Sequence, residues 1–569
     1  MTSPAPSAVP APASGGAAGA GAGGLSVVKV SAWAPLGIKI FRVLWLAQLG
    51  SNIGSWMQTV GAQWFLVETA AGATVIALVQ TASLAPSMLL SLPAGVLADA
   101  LDRRKLLIWG TLASAFLAVV LTVVSLAGVL TPVSLLAFTF VLGAAGALTA
   151  PAWQAIQPEL VPREQISAAA GLGGVTVNAA RAIGPALAGF LVAGLGTTVV
   201  FGVNAVSFVA AALALIWWKR APQEGLDDRE RLGEALMAGL RYVWSAGLIR
   251  RILLRSALFA FPASALWAVL PLVASASLHL DSAGYGVLLG AVGLGALIGV
   301  FVLPMARARF SDNLILGASA VLYGLGAAAS ALLPFALTLL LLLFAGIAWI
   351  GTLTVLNANL QLTLPQWVRA RGAAVYIFVF MGTQAIGSIV WGVVAEAIGI
   401  VTALAISGVL LLLVAASVRL WPLRPGTGSI DRTTTLAWSE PNLVFDPRPE
   451  DGPVAVMVTY RVANGDIAGF VAAMHQVGAS RKRTGASRWR IYESGEDANV
   501  LLESFVVPSW SEFRRQQTQR LTGRDREVLA KVLELSEGQP REEHFFPPTV
   551  HPGSARPDAA APGTGAPSV

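Results

Sequence analysis

The sequence predicts an all-α polytopic membrane protein, with twelve transmembrane helices in two six-helix pseudo-symmetric bundles followed by a small α+β domain. Three observations carry this reading. Apolar residues make up 55% of the 569 residues and charged residues only 12%, with a mean hydropathy of +0.69; a soluble chain carries roughly 25% charged residues. The apolar residues gather in twelve runs, each long enough to cross a hydrocarbon core of about 30 Å as a helix. Counting those runs from the N-terminus, every Lys and Arg from Lys39 to Arg424 except Arg181 lies at one face, and the gaps of the other face carry only Glu68, His279, Asp281 and Glu396. This is the bias that orients helices during insertion, and it predicts cytoplasmic N- and C-termini in a bacterial inner (plasma) membrane.

Residues 1–38 are rich in Ala, Gly, Pro and Ser, have no basic stretch ahead of an apolar core, and read as a disordered tail rather than a secretory signal. The runs follow at about 40–67, 74–98, 106–129, 132–154, 167–194 and 197–218, forming a first bundle over 39–218. A polar stretch, 219–253, reads as a cytoplasmic loop; runs at 254–277, 284–305, 312–331, 334–358, 371–396 and 399–420 form a second bundle over 254–421. Residues 422–453 are a Pro-rich linker, 454–547 a soluble unit and 548–569 a second disordered tail. Within the soluble unit, Val454, Val456, Val458 and Tyr460 alternate as a strand. A helix over 465–482, strands near 487–493 and 499–507 and helices within 509–537 complete it.

The chain also repeats itself. Ala182-Ile183-Gly184, Gly189 and Gly196 recur 203 residues later as Ala385-Ile386-Gly387, Gly392 and Gly399, and Gln157 and Leu160, followed by a Pro, recur as Gln361 and Leu364. Six helices separate the copies, so both halves face the same way and are related by an axis along the membrane normal.

Composition narrows the chemistry. With no Cys there is no disulfide, thiolate metal site or thiol catalysis, and with four His a His-based metal site is not expected. The pI near 10.0 reflects basic residues at helix ends facing anionic headgroups, not a nucleic-acid surface. No cofactor is implied.

Three features stand out in the runs. The gap after the second helix reads Gly95-Val-Leu-Ala-Asp99-Ala-Leu-Asp102-Arg103-Arg104-Lys105; Gly95 permits a close helix contact and Asp99 suits the positive end of a neighbouring helix. The equivalent stretch in the second half, Gly299 to Arg309, keeps Gly and Arg without the Asp. The fifth helix carries Asn178, Arg181, Gly184, Pro185 and Gly189; Pro185 removes a backbone hydrogen bond and the glycines allow bending or close packing. A charge at mid-helix costs about 2.5–3.5 kcal/mol or more, so Arg181 must face a polar cavity or a partner. It either meets an anionic or carbonyl group of a ligand or makes a structural salt bridge, for which the runs offer no obvious acid. Polar residues also share single helix faces: Asn52, Trp56, Thr59 and Gln63 on the first helix, and Gln80, Ser83, Ser87 and Ser91 on the second. Trp267, Asn357, Asn359, Gln384, Ser388 and Trp391 are candidates for an opposite wall. A cavity of neutral polar and aromatic groups suits a bulky amphipathic ligand.

These motifs resemble those of major facilitator transporters. The Gly95–Lys105 loop looks like their loop signature, with Ala100 where the family usually has Arg and Asp102 where it usually has Gly. Gly184-Pro185-x-x-x-Gly189 looks like the antiporter signature of their exporters. With Phe41-Arg42-Val-Leu-Trp45 and Asn52-Ile-Gly54-Ser-Trp56-Met57-Gln58-Thr59, the resemblance over about 39–421 is to the transmembrane secretion effector-like branch that includes the enterobactin exporter and macrolide efflux proteins. It implies a twelve-helix fold, alternating access, efflux of a small hydrophobic or siderophore/antibiotic-like molecule and drive by an ion gradient, with proton antiport the first expectation. Arg181, Asn178, Asn52, Trp56, Thr59, Gln63, Gln80, Trp267, Asn357 and Gln384 are then candidates for the substrate path. Gly95, Asp99, Asp102, Arg103, Arg104, Gly184, Pro185 and Gly189 are candidates for gating. The soluble unit looks like the ferredoxin-like fold of antibiotic-biosynthesis monooxygenase-type domains, which implies dimerisation through its sheet; Arg481-Lys482-Arg483 with Arg488 and Arg490 reads as a basic face toward the headgroups, and His475 as structural. Two alternatives stay open: a lipid or metabolite transporter of the same fold, or a membrane-tethered enzyme or sensor acting through 454–547.

The topology is directly testable. Reporter fusions within 219–253 are expected to be active only in the cytoplasm, and periplasmic activity would reverse the orientation.

Overall fold

The computed structural model describes residues 31–219, 240–423 and 441–548, apart from 442, 444 and 464; the side chains of residues 92, 96, 99, 100 and 366 also lie outside the description. Twelve long helices form two bundles. The first holds α1 (Lys39–Glu68), α2 (Ala73–Ala100), α3 (Arg103–Leu126), α4 (Pro132–Ile156), α5 (Ile166–Leu195) and α6 (Thr197–Trp217). The second holds α7 (Gly247–Leu272), α8 (Ser282–Arg309), α9 (Asp312–Ala329), α10 (Phe335–Thr363), α11 (Arg369–Ile398) and α12 (Ile400–Ser417). Eleven are apolar enough by length and composition to cross a membrane. The one that falls short is α1, whose Gln48, Asn52, Ser55, Gln58, Thr59 and Gln63 lower its hydropathy.

Three boundaries differ from the sequence reading. The seventh helix begins at Gly247, seven residues earlier than its apolar run, and the added turns carry Arg250 and Arg251 at the basic face. Ala34–Gly37 forms a short 3-10 turn with Pro35 buried, so the end of the N-terminal stretch is structured; 1–30 lie outside the described residues. The central loop falls outside them over 220–239, and 240–245 are helical.

The internal repeat has a structural meaning. Gly196 and Gly399 take the same left-handed backbone at φ 84° and 89°, where each ends one helix and begins the next. Gly184 packs on α1, where an added Cβ would lie 2.7 Å from Trp56 Cβ, and Gly387 packs in the same way on Ser264 and Phe261 of α7. Gly189 meets α8, its Cβ position 2.9 Å from the Gly286 Cα, while Gly392 meets α2, 2.6 Å from the Ala77 Cβ. Equivalent glycines thus make the within-half contacts α1–α5 and α7–α11 and the between-half contacts α5–α8 and α2–α11.

Beyond the membrane helices, β1 (Val454–Arg461), α13 (Ile467–Thr484), β2 (Arg488–Glu493), β3 (Val500–Val507), α14 (Trp510–Arg515), α15 (Gly523–Glu534) and β4 (Arg541–Phe545) build a four-stranded antiparallel sheet of order β2-β3-β1-β4. β4 escapes the sequence pattern because Arg-Glu-Glu-His-Phe has no apolar alternation; it pairs through its backbone along β1. The last part of the linker belongs to this unit, with Trp510 N donating to Asp451 O at 2.7 Å. The basic face is smaller than expected. Arg481 turns inward, its Nε 3.2 Å from Glu503 Oε1, and Arg483 pairs with Asp525. Glu503 is fully buried and also accepts from Trp489 Nε1 at 2.9 Å and Tyr460 Oη at 3.1 Å. Burial works against the Arg481 charge, but Glu503, with Tyr460 and Glu542, offsets it and holds the guanidinium above its ordinary value. Burial and the same carboxylate push the Tyr460 hydroxyl upward, so it remains a donor.

Two substitutions test this packing. Gly189→Leu overfills the α5–α8 contact, and a cost of about 1–3 kcal/mol to the state in which these helices touch is expected; it is read as a shift toward separated halves by distance measurement, with expression retained. Glu503→Ala strands Arg481 and two donors, and the soluble unit is expected to lose about 3–5 kcal/mol. Calorimetry showing an unchanged transition for that unit would contradict the assignment.

Candidate functional site

A cavity of ≈ 1140 Å³ opens among the helices from the level of Arg181 toward the face bearing the basic loops. Its wall is mostly the first half. From α1 come Gln48, Asn52, Ser55 and Thr59, and from α5 Asn178 and Arg181; the second half contributes only Ile350, Leu353 and Asn357 of α10.

Arg181 is the distinctive group. Its Nε and Nη1 are buried and make no hydrogen bond in the structure. The guanidinium lies 5.5 Å from the Trp56 ring, a cation–π contact that holds the group in place while leaving its N–H donors free. Behind Trp56, and away from the cavity, a run of rings continues through Trp267, at 6.0 Å, and Trp349, 5.5 Å further. Asn178 donates to Gly174 O at 2.9 Å, and its Oδ1 is buried without a partner. Arg255, another buried arginine on a membrane helix, behaves in the opposite way. Its guanidinium donates to the carbonyls of Ser417 and Trp421 at 2.7 Å and 2.5 Å and to Ser417 Oγ at 2.8 Å, closing the end of α12. A buried cation with structural work is saturated with acceptors; Arg181 is not.

The remaining path candidates divide. Asn52, Thr59, Asn178, Arg181 and Asn357 line the cavity, whereas Trp56, Gln63, Gln80, Trp267 and Gln384 do not. Gln63 crosses between halves instead: Tyr285 Oη donates to its Oε1 at 2.5 Å and its Nε2 donates to Trp267 O at 3.3 Å. Gln384 is buried within α11, and Trp391 and Asn359 bond to Phe261 O and Asp312 inside the second half. Below this level the halves are joined by Thr81 Oγ1 to Ala385 O at 2.9 Å, Ser282 Oγ to Gly189 O at 3.2 Å and Thr74 N to Glu396 Oε2 at 2.9 Å. The end opposite the basic loops is therefore closed. Sequence reasoning missed Gln48, one turn before Asn52 on the same face, and Gln58, which is paired with Asn204 of α6.

The gating candidates also divide. Gly184, Pro185 and Gly189 form the α5 seams described above. The contact expected at Gly95 is not found among the described residues, where an added Cβ would meet nothing within 4 Å, whereas its counterpart Gly299 packs tightly on Ile347 and Ile350 of α10. The Asp99 side chain lies outside the described residues. Asp102 serves as the N-cap of α3, accepting from Lys105 N at 3.0 Å. Arg103 pairs with Glu159 at 3.0 Å, and Arg104 donates to Ile216 O at the end of α6 at 2.9 Å. In the second half, Asp312 supplies the acid that Gly299–Arg309 lacks, holding Arg307 at 3.1 Å and Asn359 at 2.7 Å. In the soluble unit His475 Nδ1 bonds to Val471 O at 2.7 Å, and no group of metal ligands occurs among the described residues.

Comparison with known proteins agrees with this geometry. Residues 30–546 match the model of a family described as transmembrane secretion effector. The staphyloferrin A transporter of Staphylococcus aureus is 25% identical over 63% of this chain and 90% of its own length. The multidrug efflux pump Tap of Mycolicibacterium fortuitum is 27% identical over 66% and 95%, and the enterobactin exporter EntS of Salmonella typhi is 31% identical over 48% and 64%. Among solved structures, a point mutant of the nucleoside transporter NupG superposes with a TM-score of 0.57 at 15% identity, covering 67% of this chain and all of that one. A bacterial homolog of the human lysosomal transporter Spinster, in an inward-facing and occupied conformation, gives 0.56 at 16% over 68% and 97%. These relatives are transporters rather than enzymes, which sets aside the reading of the helices as an anchor for catalysis. Two like-facing six-helix halves around one polar cavity, together with the family match along most of the chain, place this protein in the transmembrane secretion effector family of the major facilitator superfamily, as a multi-pass membrane transporter.

Proposed function

We propose that the chain exports a small amphipathic molecule, siderophore-like or antibiotic-like and bearing an anionic or carbonyl group, from the bacterial cytoplasm by alternating access. The observation that carries this is Arg181: a guanidinium whose Nε and Nη1 are buried and unpaired, on the wall of a ≈ 1140 Å³ cavity. A carboxylate, phenolate or carbonyl would supply the missing acceptors at low dielectric, where such bonds are strongest. Asn178 and Asn52 offer neutral polar contacts beside it, and the aromatic and aliphatic lining accepts the rest of the ligand. The relatives named for staphyloferrin A, enterobactin and multidrug efflux support export of such molecules.

In this proposal the basic loops, and so the cavity mouth, face the cytoplasm with both termini on that side, which the positive-inside bias supports. In this reading the structure is the inward-open state and rocking of the halves exposes Arg181 to the other side. An ion gradient, of protons in the first instance, drives the cycle. The described cavity wall contains no Asp, Glu or His, so the titrating group belongs to the substrate or lies elsewhere in the protein. The soluble unit is accessory: Arg520, paired with Glu512 at 2.7 Å, stacks 4.6 Å from the ring of Trp367 in the loop between α10 and α11. Its open sheet face, with Tyr492 and Phe545 each about half exposed, is the surface through which two copies would pair.

The test is accumulation of candidate substrates in a strain lacking its other efflux pumps, with and without an uncoupler. Arg181→Ala is expected to reduce efflux roughly ten- to hundredfold at unchanged expression, the value of one or two hydrogen bonds to a charged group. Unchanged transport would make Arg181 structural.

A further inference from the structure

The end of α2 at the face opposite the basic loops begins without a cap of its own. Its N-cap residue is Gly72, which has no side chain, and no side-chain cap bond comes from its own segment. The acceptor is supplied by the other half: Glu396, in the last turn of α11, takes the Thr74 N–H at 2.9 Å, and its carboxylate lies over Gly72 so closely that a Cβ there would be 3.0 Å from Oε1. An N-terminal turn carries unpaired N–H groups and a partial positive charge, so an anion there is held by both bond and dipole. Helix caps are normally local; this one spans the interface that closes the far end of the cavity.

We infer that Glu396 is a latch on the closed outer gate, and that external acid loosens it. This rests on the inward-open reading given above. The other bonds across the seam, Gln63–Tyr285, Thr81–Ala385 and Ser282–Gly189, use amide, hydroxyl and carbonyl groups that do not titrate near neutrality. Glu396 is the one carboxylate among these bonds, and only its ionised form combines full charge with two acceptor oxygens. The elements packed around it add no competing charge, since the adjoining ends of α2, α7 and α12 carry no ionisable side chain. The other titratable groups at this face are Glu68, His279 and Asp281. None forms an ion pair with Glu396 among the described residues, and Asp281 caps α8 by accepting from Gly284 N at 2.9 Å.

Glu396 is exposed at one face in this state, so it does not carry a proton through the protein. Its protonation instead changes the equilibrium between closed and open outer gates. The carboxylate favours the closed gate, and acidification from outside removes that preference and favours opening. Losing a charged helix cap corresponds to a shift of roughly three- to tenfold in that ratio.

The chain has no Cys, so label pairs can be introduced without removing native thiols. Spin labels at Leu195→Cys with Leu332→Cys report the outer gate, and labels at Leu101→Cys with Phe310→Cys report the basic face; all four positions are exposed. Distance distributions are recorded for full-length protein in lipid nanodiscs at about pH 7.5 and about pH 3, a range that takes a carboxylate from ionised to protonated. The open-to-closed ratio of the outer pair is expected to rise roughly three- to tenfold with acid. Glu396→Gln, which keeps the shape and removes the charge, is expected to show the raised ratio at both pH values and no acid response, Glu396→Ala to match or exceed it, and His279→Ala to respond as the parent does. A Glu396→Gln protein with the parental ratio at the higher pH, or one that still opens with acid, would overturn the latch. Failure of the inward-open reading has its own signature: the parent at the higher pH would show the outer pair far apart and the basic-face pair close.

Discussion

The structure depends on a close approach of backbones between halves. Where α5 meets α8, glycines at 189, 286 and 293 bring backbone against backbone, and where α2 meets α11, Gly392 seats only the methyl of Ala77. In a bilayer, lipid tails are as apolar as Leu, so helices gain little by hiding apolar surface from them; contact surface and interhelical hydrogen bonds must hold them together. Small residues supply the first, and Gln63, Tyr285, Ser282, Thr81 and Glu396 the second. Because these contacts concentrate at the end away from the basic loops, the halves splay at the other end. The cavity is the space that this asymmetric closure leaves.

Arg181 takes its meaning from that space. It stands on α5 three residues before Gly184, so the helix that packs on α1 and on α8 also carries the cavity's only Arg or Lys among the described residues. Trp56 holds the guanidinium from one side, and packing of Gly184 against the same Trp fixes their separation. The contrast with Arg255 shows that this fold can saturate a buried arginine: helix-end carbonyls do so there, and none bonds Nε or Nη1 of Arg181. A cation maintained in that condition is preorganised for an acceptor that arrives from outside the protein.

Much of this was legible in the sequence. A membrane span must satisfy its own backbone and be largely apolar, so most of the helices announce themselves as apolar runs. The repeat of Gly184, Gly189 and Gly196 at Gly387, Gly392 and Gly399 was legible because a backbone contact tolerates no other side chain. The limits were equally physical. Asn52, Thr59 and Gln63 share a helix face, but a stripe along α1 passes from cavity to seam, and spacing cannot say where one ends. The role of Glu396 was hidden because its partner is a backbone N–H of the other half. Asp312 replaced an expected acid from a position beyond the motif, and β4 joined the sheet through main-chain bonds that its charged sequence does not advertise.

The central claim is that one polar cavity, walled by Asn52 and Arg181, opens on the basic face and is sealed at the other. It is tested most directly by single-cysteine labelling in this cysteine-free chain, with a membrane-impermeant thiol reagent added to one side of oriented vesicles. Asn52→Cys is expected to react from the cytoplasmic side, and Gln63→Cys to remain protected from both. Reaction of Asn52→Cys from the periplasmic side alone, or equal reaction of Gln63→Cys, would contradict the account.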